Sequence, residues 1–189
     1  MGVCSPYISD TAGRISVVTS TTRPTGSNLY AGKWIYESDT GRTLMYDGTG
    51  WVIMSEPAQS FTPTWTNITK GNGTDAVAQY HRSDGWIDFV VDFTFGSTSS
   101  VTGTPILTLP VATHSSMRWS QIQFQFYDVS AITFYVGATL SVGVTQVAAG
   151  AQNAASGAVA AVSSIAPFTW ATGDILMCSG RYRMTTRYS

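Results

Sequence analysis

The chain is 189 residues long and poor in charge, since Asp, Glu, Lys and Arg make up 11% of it. A typical soluble domain has about 25% of these residues. Ser and Thr supply about a quarter of the chain, and aromatic residues supply 12%. A disordered chain would have fewer aromatic residues, and a coiled coil would have more than the two glutamates and two lysines found here. The net charge of −1 argues against a nucleic-acid partner.

The N-terminal residues, the hydropathy of the chain and the positions of its cysteines do not indicate export, membrane insertion or redox chemistry. No run of 18 apolar residues occurs, and the first residues lack the basic and apolar regions of a secretory signal. Cys4 and Cys178 lie at opposite ends of the chain and outside any CxxC or His-rich motif. We therefore expect unpaired thiols in a reducing cytoplasm, no metal site and no cofactor.

Hairpin signals are concentrated early in the chain. Strand-like runs at 33–37, 42–46 and 51–54 are separated by turns rich in Asp and Gly, which predicts a three-stranded β-meander. Such a meander is too small to be stable alone, so we expect it to be covered by another domain or by other subunits.

The remaining chain predicts a larger β domain. We divide the protein into an N-terminal attachment segment (1–56), a linker (57–60) and an antiparallel β-sandwich (61–189). Trp86 to Phe95 alternates most clearly, and the row expected to face the core is Ile87, Phe89, Val91, Phe93 and Phe95. Ser83-Asp84-Gly85 pairs this run with 77–82 in a hairpin. The fold class is therefore all-β, with a small meander followed by a sandwich that resembles a jelly roll.

The later strands are predicted from the same alternation. In 118–127 one row faces the core, and the other row faces outward. The inward row is Ile122, Phe124 and Phe126, and the outward row is Trp119, Gln121, Gln123, Gln125 and Tyr127. We expect two further inward rows, Ile132, Phe134 and Val136, then Leu140, Val142 and Val144.

Two segments are harder to place by pattern. The run 106–109 lies between Pro105 and Pro110, which favours an edge strand or a strand that switches sheets. The segment 147–164 consists mainly of Ala, Gly and Ser, and we expect a long loop with at most a helical turn.

The outward row of 118–127 is the candidate binding surface. An aromatic ring can stack on a sugar while an amide binds its hydroxyl groups, so this row suits glycan recognition. A subunit interface also favours Trp and Tyr and disfavours charge. We favour the interface, because the low charge is a property of the whole chain.

Residues suited to catalysis are few. His81 and His114 lie in no zinc-binding spacing, and no nucleophile-elbow, phosphate-loop or dinucleotide motif occurs. Asp88 and Asp92 share a strand face, but at about 3.3 Å per residue they stand roughly 13 Å apart. That exceeds the roughly 5–9.5 Å between the carboxylates of glycosidases. We do not expect an enzyme.

Several motifs resemble those of tailed-bacteriophage fibre and virion-surface proteins. In the first part these are Arg23-Pro24, Ala31 to Gly41, Met45-Tyr46-Asp47-Gly48 and Trp51. In the second part they are Thr64 to Asn67, Gly71 to Thr74, Phe95 to Ser100, Thr108 to Pro110, Pro167 to Asp174 and Ser179 to Tyr182. Together they cover most of the chain after residue 22.

The resemblance implies a non-enzymatic homotrimer on the virion surface, assembled in the host cytoplasm. It would be a capsid decoration or head-fibre-type appendage; the alternative is a tail fibre that recognises host-surface glycan. The major capsid protein or a tail protein would be its partner in the particle. Particle docking or trimer contact would involve Trp34, Tyr36, Tyr46 and Trp51.

Overall fold

The structure, a computed structural model, describes residues 15–114, 121–153 and 156–185, except for the side chains of residues 141 and 142. Over these residues the protein is all-β, as predicted, and its helical content is one 3-10 turn, Gly26–Asn28. The strands are β1 (Ser16–Val18), β2 (Trp34–Glu37), β3 (Arg42–Tyr46), β4 (Trp51–Ser55), β5 (Gln59–Ser60), β6 (Trp65–Thr69), β7 (Thr74–Ser83), β8 (Trp86–Thr94), β9 (Ser100–Thr108), β10 (Gln121–Asp128), β11 (Thr133–Gly143), β12 (Gln146–Gln152), β13 (Val159–Ala161) and β14 (Ile175–Arg183).

The small sheet has the order β1-β2-β3-β4. Strands β2, β3 and β4 form the predicted meander, and β1 adds a parallel edge strand that the sequence pattern did not indicate. Ile35, Leu44 and Ile53 are fully buried and form its core.

The chain itself helps to cover this core. Pro24 is buried, the Arg23 guanidinium donates to the Glu37 carboxylate, and Lys33 Nζ donates to the Asn28 carbonyl at 3.0 Å. The Glu37 side chain has no exposed surface. The segment between β1 and β2 is therefore pinned to the sheet by hydrogen bonds to charged groups, which are stronger than those between neutral groups.

The large sheet has the order β5-β7-β8-β14-β10-β11-β12-β9-β6, with β13 paired to β12, and all its pairings are antiparallel. It curls into a β-sandwich around one core. The predicted β7–β8 hairpin is present, and its turn residues Asp84 and Gly85 have φ of 45° and 80°. Asp and Gly tolerate these positive values, so the sequence fixes the turn locally.

One continuous apolar core joins the two halves of the curled sheet. Its inward rows on β8 and β10 are those predicted from alternation. They meet residues of β6, β9, β12 and β14. The fully buried members include Ile87, Val91, Phe93, Leu107, Phe124, Phe126, Val147, Ala149, Leu176, Cys178 and Tyr182.

The Cys178 thiol is unpaired, and burial raises its pKa well above the usual value. Cys4 lies outside the described residues.

Of the two alternatives predicted for 106–109, an edge strand or a strand that switches sheets, the edge strand is wrong. Strand β9 includes Pro105 and is paired on both sides, with β6 and β12. The β6–β9 register shifts between Thr66 and Ile68, across from the proline. This irregularity tolerates a residue without an N–H group inside a paired strand.

The prediction of a loop at 147–164 is also wrong, because this segment contains most of β12 and all of β13. Ala149 and Ala151 face the core, and Gly150 leaves room on the opposite face for Leu140 and Val159. Small residues are used here because neighbouring strands fill the space, a requirement of tertiary packing that outweighs the helix propensity of Ala.

The junction between the two sheets is built around one buried carboxylate. Glu56 has no exposed side-chain surface, and its oxygens lie 3.0 Å from Arg42 Nε on β3 and 3.4 Å from Arg82 Nε on β7. Two hydrogen bonds run beside it, from the Asp84 N–H to the Ile53 carbonyl and from the Ser83 hydroxyl to the Met54 carbonyl. The segment predicted as a linker also contributes β5, which pairs with β7.

We predict that Glu56→Ala lowers the free energy of unfolding by about 3–5 kcal/mol, because it leaves two arginines partly buried without their shared carboxylate. Denaturant unfolding measures this loss, and hydrogen exchange at the Asp84 amide should accelerate as the junction opens. The control is Lys70→Ala, which removes a half-exposed ion pair with Asp75 and should cost less than about 1 kcal/mol. Equal stability of Glu56→Ala and wild type would contradict the role of Glu56.

Candidate functional site

The outward row of β10 faces solvent as the alternation predicts. Gln121, Gln123 and Gln125 are exposed, whereas Tyr127 is half-buried. Trp119, the first member of the predicted row, lies outside the described residues. The row therefore presents amide groups along the strand and ends at an aromatic ring.

The predicted facing of β11 is wrong. Phe134 and Val136 were expected in the core, but they are 66% and 61% exposed, and Ile132 in the preceding turn is 80% exposed. Leu140 and Val144, also expected to face inward, are exposed as well; the Val142 side chain is not described.

The inward row of β11 is instead Tyr135, Gly137 and Thr139. The Tyr135 ring lies 5.1 Å from that of Phe168, and the Thr139 hydroxyl donates to the Ile122 carbonyl at 2.7 Å. At Gly137 an added Cβ would lie 2.4 Å from the Phe124 carbonyl oxygen. A glycine is required at this close approach of backbones, and side chains alternate, so Phe134 and Val136 must point outward.

These outward residues form one patch, here called the β11 face, which consists of Tyr127, Phe134, Val136, Leu140 and Val159. The rings of Tyr127 and Phe134 are paired across β10 and β11, with centroids 4.4 Å apart. Leu140 and Val159 both lie over Gly150. The face is bordered on β10 by the three exposed glutamines, because Gln125 pairs with Val136.

Charged groups of the same sheet lie to one side of this patch. Asp88 on β8 lies 3.5 Å from His81 Nε2 and 3.8 Å from Arg181 Nε. The Arg181 guanidinium also sits 5.2 Å from the centroid of the Trp86 ring. Further along β8, partial burial raises the pKa of Asp92. Asp88 is thus bound in a charged cluster on β7, β8 and β14.

The second predicted group, Trp34, Tyr36, Tyr46 and Trp51, is divided between the two faces of the small sheet. Trp34 and Tyr36 are 37% and 39% exposed on one face. Tyr46 and Trp51 contact each other on the other face, with ring centroids 5.5 Å apart, and Trp51 packs against the small core.

The exposed part of this group extends onto β1. Val17 pairs with Tyr36 and is 70% exposed. Val17, Trp34 and Tyr36 are called the small-sheet face below. Sequence reasoning missed Val17 because the short parallel strand that carries it shows no sustained alternation.

The part of the chain that the structure describes contains neither a metal cluster nor a membrane-spanning helix. Among the described residues no group of three or more His, Cys, Asp or Glu side chains could hold a metal ion. Within the same part of the chain, no helix is long and apolar enough to cross a membrane.

Comparisons with protein-family models, with curated proteins and with solved structures find no match to this chain. The two exposed surfaces described above, together with the motifs in the sequence, are therefore the basis on which a function can be proposed.

The facing of β11 leads to a test at Gly137. We predict that Gly137→Ala lowers the free energy of unfolding by about 1–3 kcal/mol or more, because the new methyl group meets the rigid backbone of β10. Gly143→Ala is the matched control, since an added Cβ there has no neighbour within 4 Å, and it should change stability by less than about 1 kcal/mol. Denaturant unfolding of both variants decides the matter, and similar losses would contradict the close approach at Gly137.

Proposed function

We propose that this protein is a non-enzymatic structural component of a tailed-phage particle, a capsid decoration or head-fibre-type appendage on the virion surface. It is assembled in the host cytoplasm, requires no cofactor and forms a homotrimer. The small sheet docks on another virion protein, such as the major capsid protein or a tail protein, and the sandwich projects outward. The sequence motifs that resemble phage surface proteins support a location on a phage particle. The presence of two separate sheets supports different roles for the small sheet and the sandwich.

The observation that carries this proposal is the small-sheet face. Val17, Trp34 and Tyr36 expose apolar surface on a sheet that already has its own core. Tryptophan and tyrosine are enriched in protein–protein interfaces. Through Glu56 the small sheet is also fixed to the sandwich, so a docked small sheet would hold the sandwich in a defined orientation.

The docking role predicts that Trp34→Ser combined with Tyr36→Ser reduces binding to particles. Particles prepared without the protein are mixed with purified variant, and the bound copies are counted by mass spectrometry. We expect at least a tenfold reduction, because both interface anchors are lost. Trp86→Ser, which removes an equally exposed tryptophan from the sandwich, should bind like wild type.

Equal binding of all variants would contradict docking through the small-sheet face. Cryo-electron microscopy of decorated particles then gives the location. Density on the capsid supports a decoration or head fibre, whereas density confined to the tail supports the alternative of a tail fibre.

The second candidate function is recognition of host-surface glycan by a tail fibre. It is favoured by the exposed amides of Gln121, Gln123 and Gln125 on β10. The next residue of this row is Tyr127, whose ring contacts that of Phe134. A glycan array tests it with wild type, with Gln123→Ala and with Gln79→Ala, an exposed amide on β7. Binding lost only in Gln123→Ala supports this function, and no binding by wild type contradicts it.

A further inference from the structure

We propose that the β11 face is the surface on which a second copy of this chain docks. The inference deepens the proposed function, on which it rests, by naming the partner of the sandwich and the residues that bind it. It concerns a surface different from the small-sheet face, so the two can be tested separately.

The β11 face is apolar, and β11 is hydrogen-bonded to a neighbouring strand along its length. Strand β11 is paired with β10 on one side and β12 on the other. The pairing with β10 covers 133–136 and the pairing with β12 covers 137–143, so Phe134 and Val136 project from the part of β11 that is paired with β10. Their exposure of 66% and 61% leaves large apolar groups in water, and removing such surface from water is the main driving force of protein association.

The chemistry of this face favours a copy of itself. The described residues of the face and its β10 border carry no charge; they are apolar residues, one tyrosine and the glutamines 121, 123 and 125. Where the face lies around the symmetry axis of a homo-oligomer, the same residues of several subunits come close together, and like charges there would repel. A glutamine amide both donates and accepts hydrogen bonds, so it can pair with another glutamine.

The distribution of charge around the face agrees with an interface. Asp88 and Arg181 lie on β8 and β14, beyond the amide row of β10. An apolar centre with polar and charged groups at its border is the usual arrangement in protein–protein interfaces. A strongly charged partner would find no complementary group in the centre of the β11 face.

The area is also sufficient for self-association. The apolar side chains of the face expose on the order of 400 Å², because a fully exposed large side chain presents roughly 200 Å². With the exposed glutamines the surface approaches the roughly 800 Å² per partner of a standard interface.

The test measures the mass of the purified full chain at tens of micromolar by size-exclusion chromatography with light scattering. Wild type should have a multiple of the monomer mass of 20.2 kDa. Phe134→Ser should weaken association by about 10- to 100-fold. Gln125→Glu should also dissociate the assembly, because it places a charge in the uncharged contact.

Matched variants show whether a loss of association is specific to the β11 face. Gln79→Glu adds the same charge to an exposed position on β7, and it should leave the mass unchanged. Thermal unfolding followed by circular dichroism should show that Phe134→Ser remains folded, because the side chain it removes is outside the core. Added salt should not dissociate wild type, since no charge pair lies in the described contact surface.

A monomeric wild type, or assemblies that persist in both Phe134→Ser and Gln125→Glu, would overturn the inference. If wild type is monomeric and the Phe134→Ser variant no longer binds particles, the β11 face binds another virion protein instead. Failure of the proposed docking gives a different result from failure of self-association. In that case the Trp34→Ser, Tyr36→Ser double variant would keep both the mass of the assembly and its binding to particles.

Discussion

The ion pairs of Glu56 hold together the two parts on which every functional interpretation depends. The chain has only two glutamates, and both are buried against arginines: Glu37 with Arg23 inside the small sheet, and Glu56 with Arg42 and Arg82 between the sheets. A buried carboxylate is costly unless it is paired. Arg42 donates a hydrogen bond to Glu56, whereas the contact of Arg82 with Glu56, at 3.4 Å, is an ion pair without a hydrogen bond. Glu56 thereby fixes the small sheet to β7 and gives the small-sheet face and the β11 face a defined relative placement.

The low charge of the chain has its clearest structural counterpart on β10 and β11. Alternation usually gives a strand of a sandwich one apolar and one polar face. On β11 the inward row consists of Tyr135, Gly137 and Thr139, and the outward row contains Phe134 and Val136. The usual arrangement is reversed because the backbone of β10 approaches so closely that only a glycine fits at Gly137. The apolar residues that this reversal places outside are those that a partner would cover.

The local elements could be predicted because each had a local cause. Asp84 and Gly85 specify their turn through positive φ. The inward rows predicted for β8 and β10 are entirely apolar, whereas their outward rows contain Asp, Thr and Gln. For the candidate site the sequence predicted the facing of Gln121, Gln123 and Gln125. It did not predict the remainder of the site, because both rows of β11 contain large apolar or aromatic side chains and alternation cannot choose between them.

The sequence by itself therefore determined the fold class, the meander, the β7–β8 hairpin and the facing of β8 and β10, since these follow from turn chemistry and period-2 patterning. The tertiary structure alone decided the facing of β11, the pairing of β9 on both edges, the strands at 147–164 and the partners of Glu56. Each of these depends on residues distant in the chain: a glycine against the β10 backbone, a register shift opposite Pro105, side chains that fill the space over Gly150, and arginines from two different sheets.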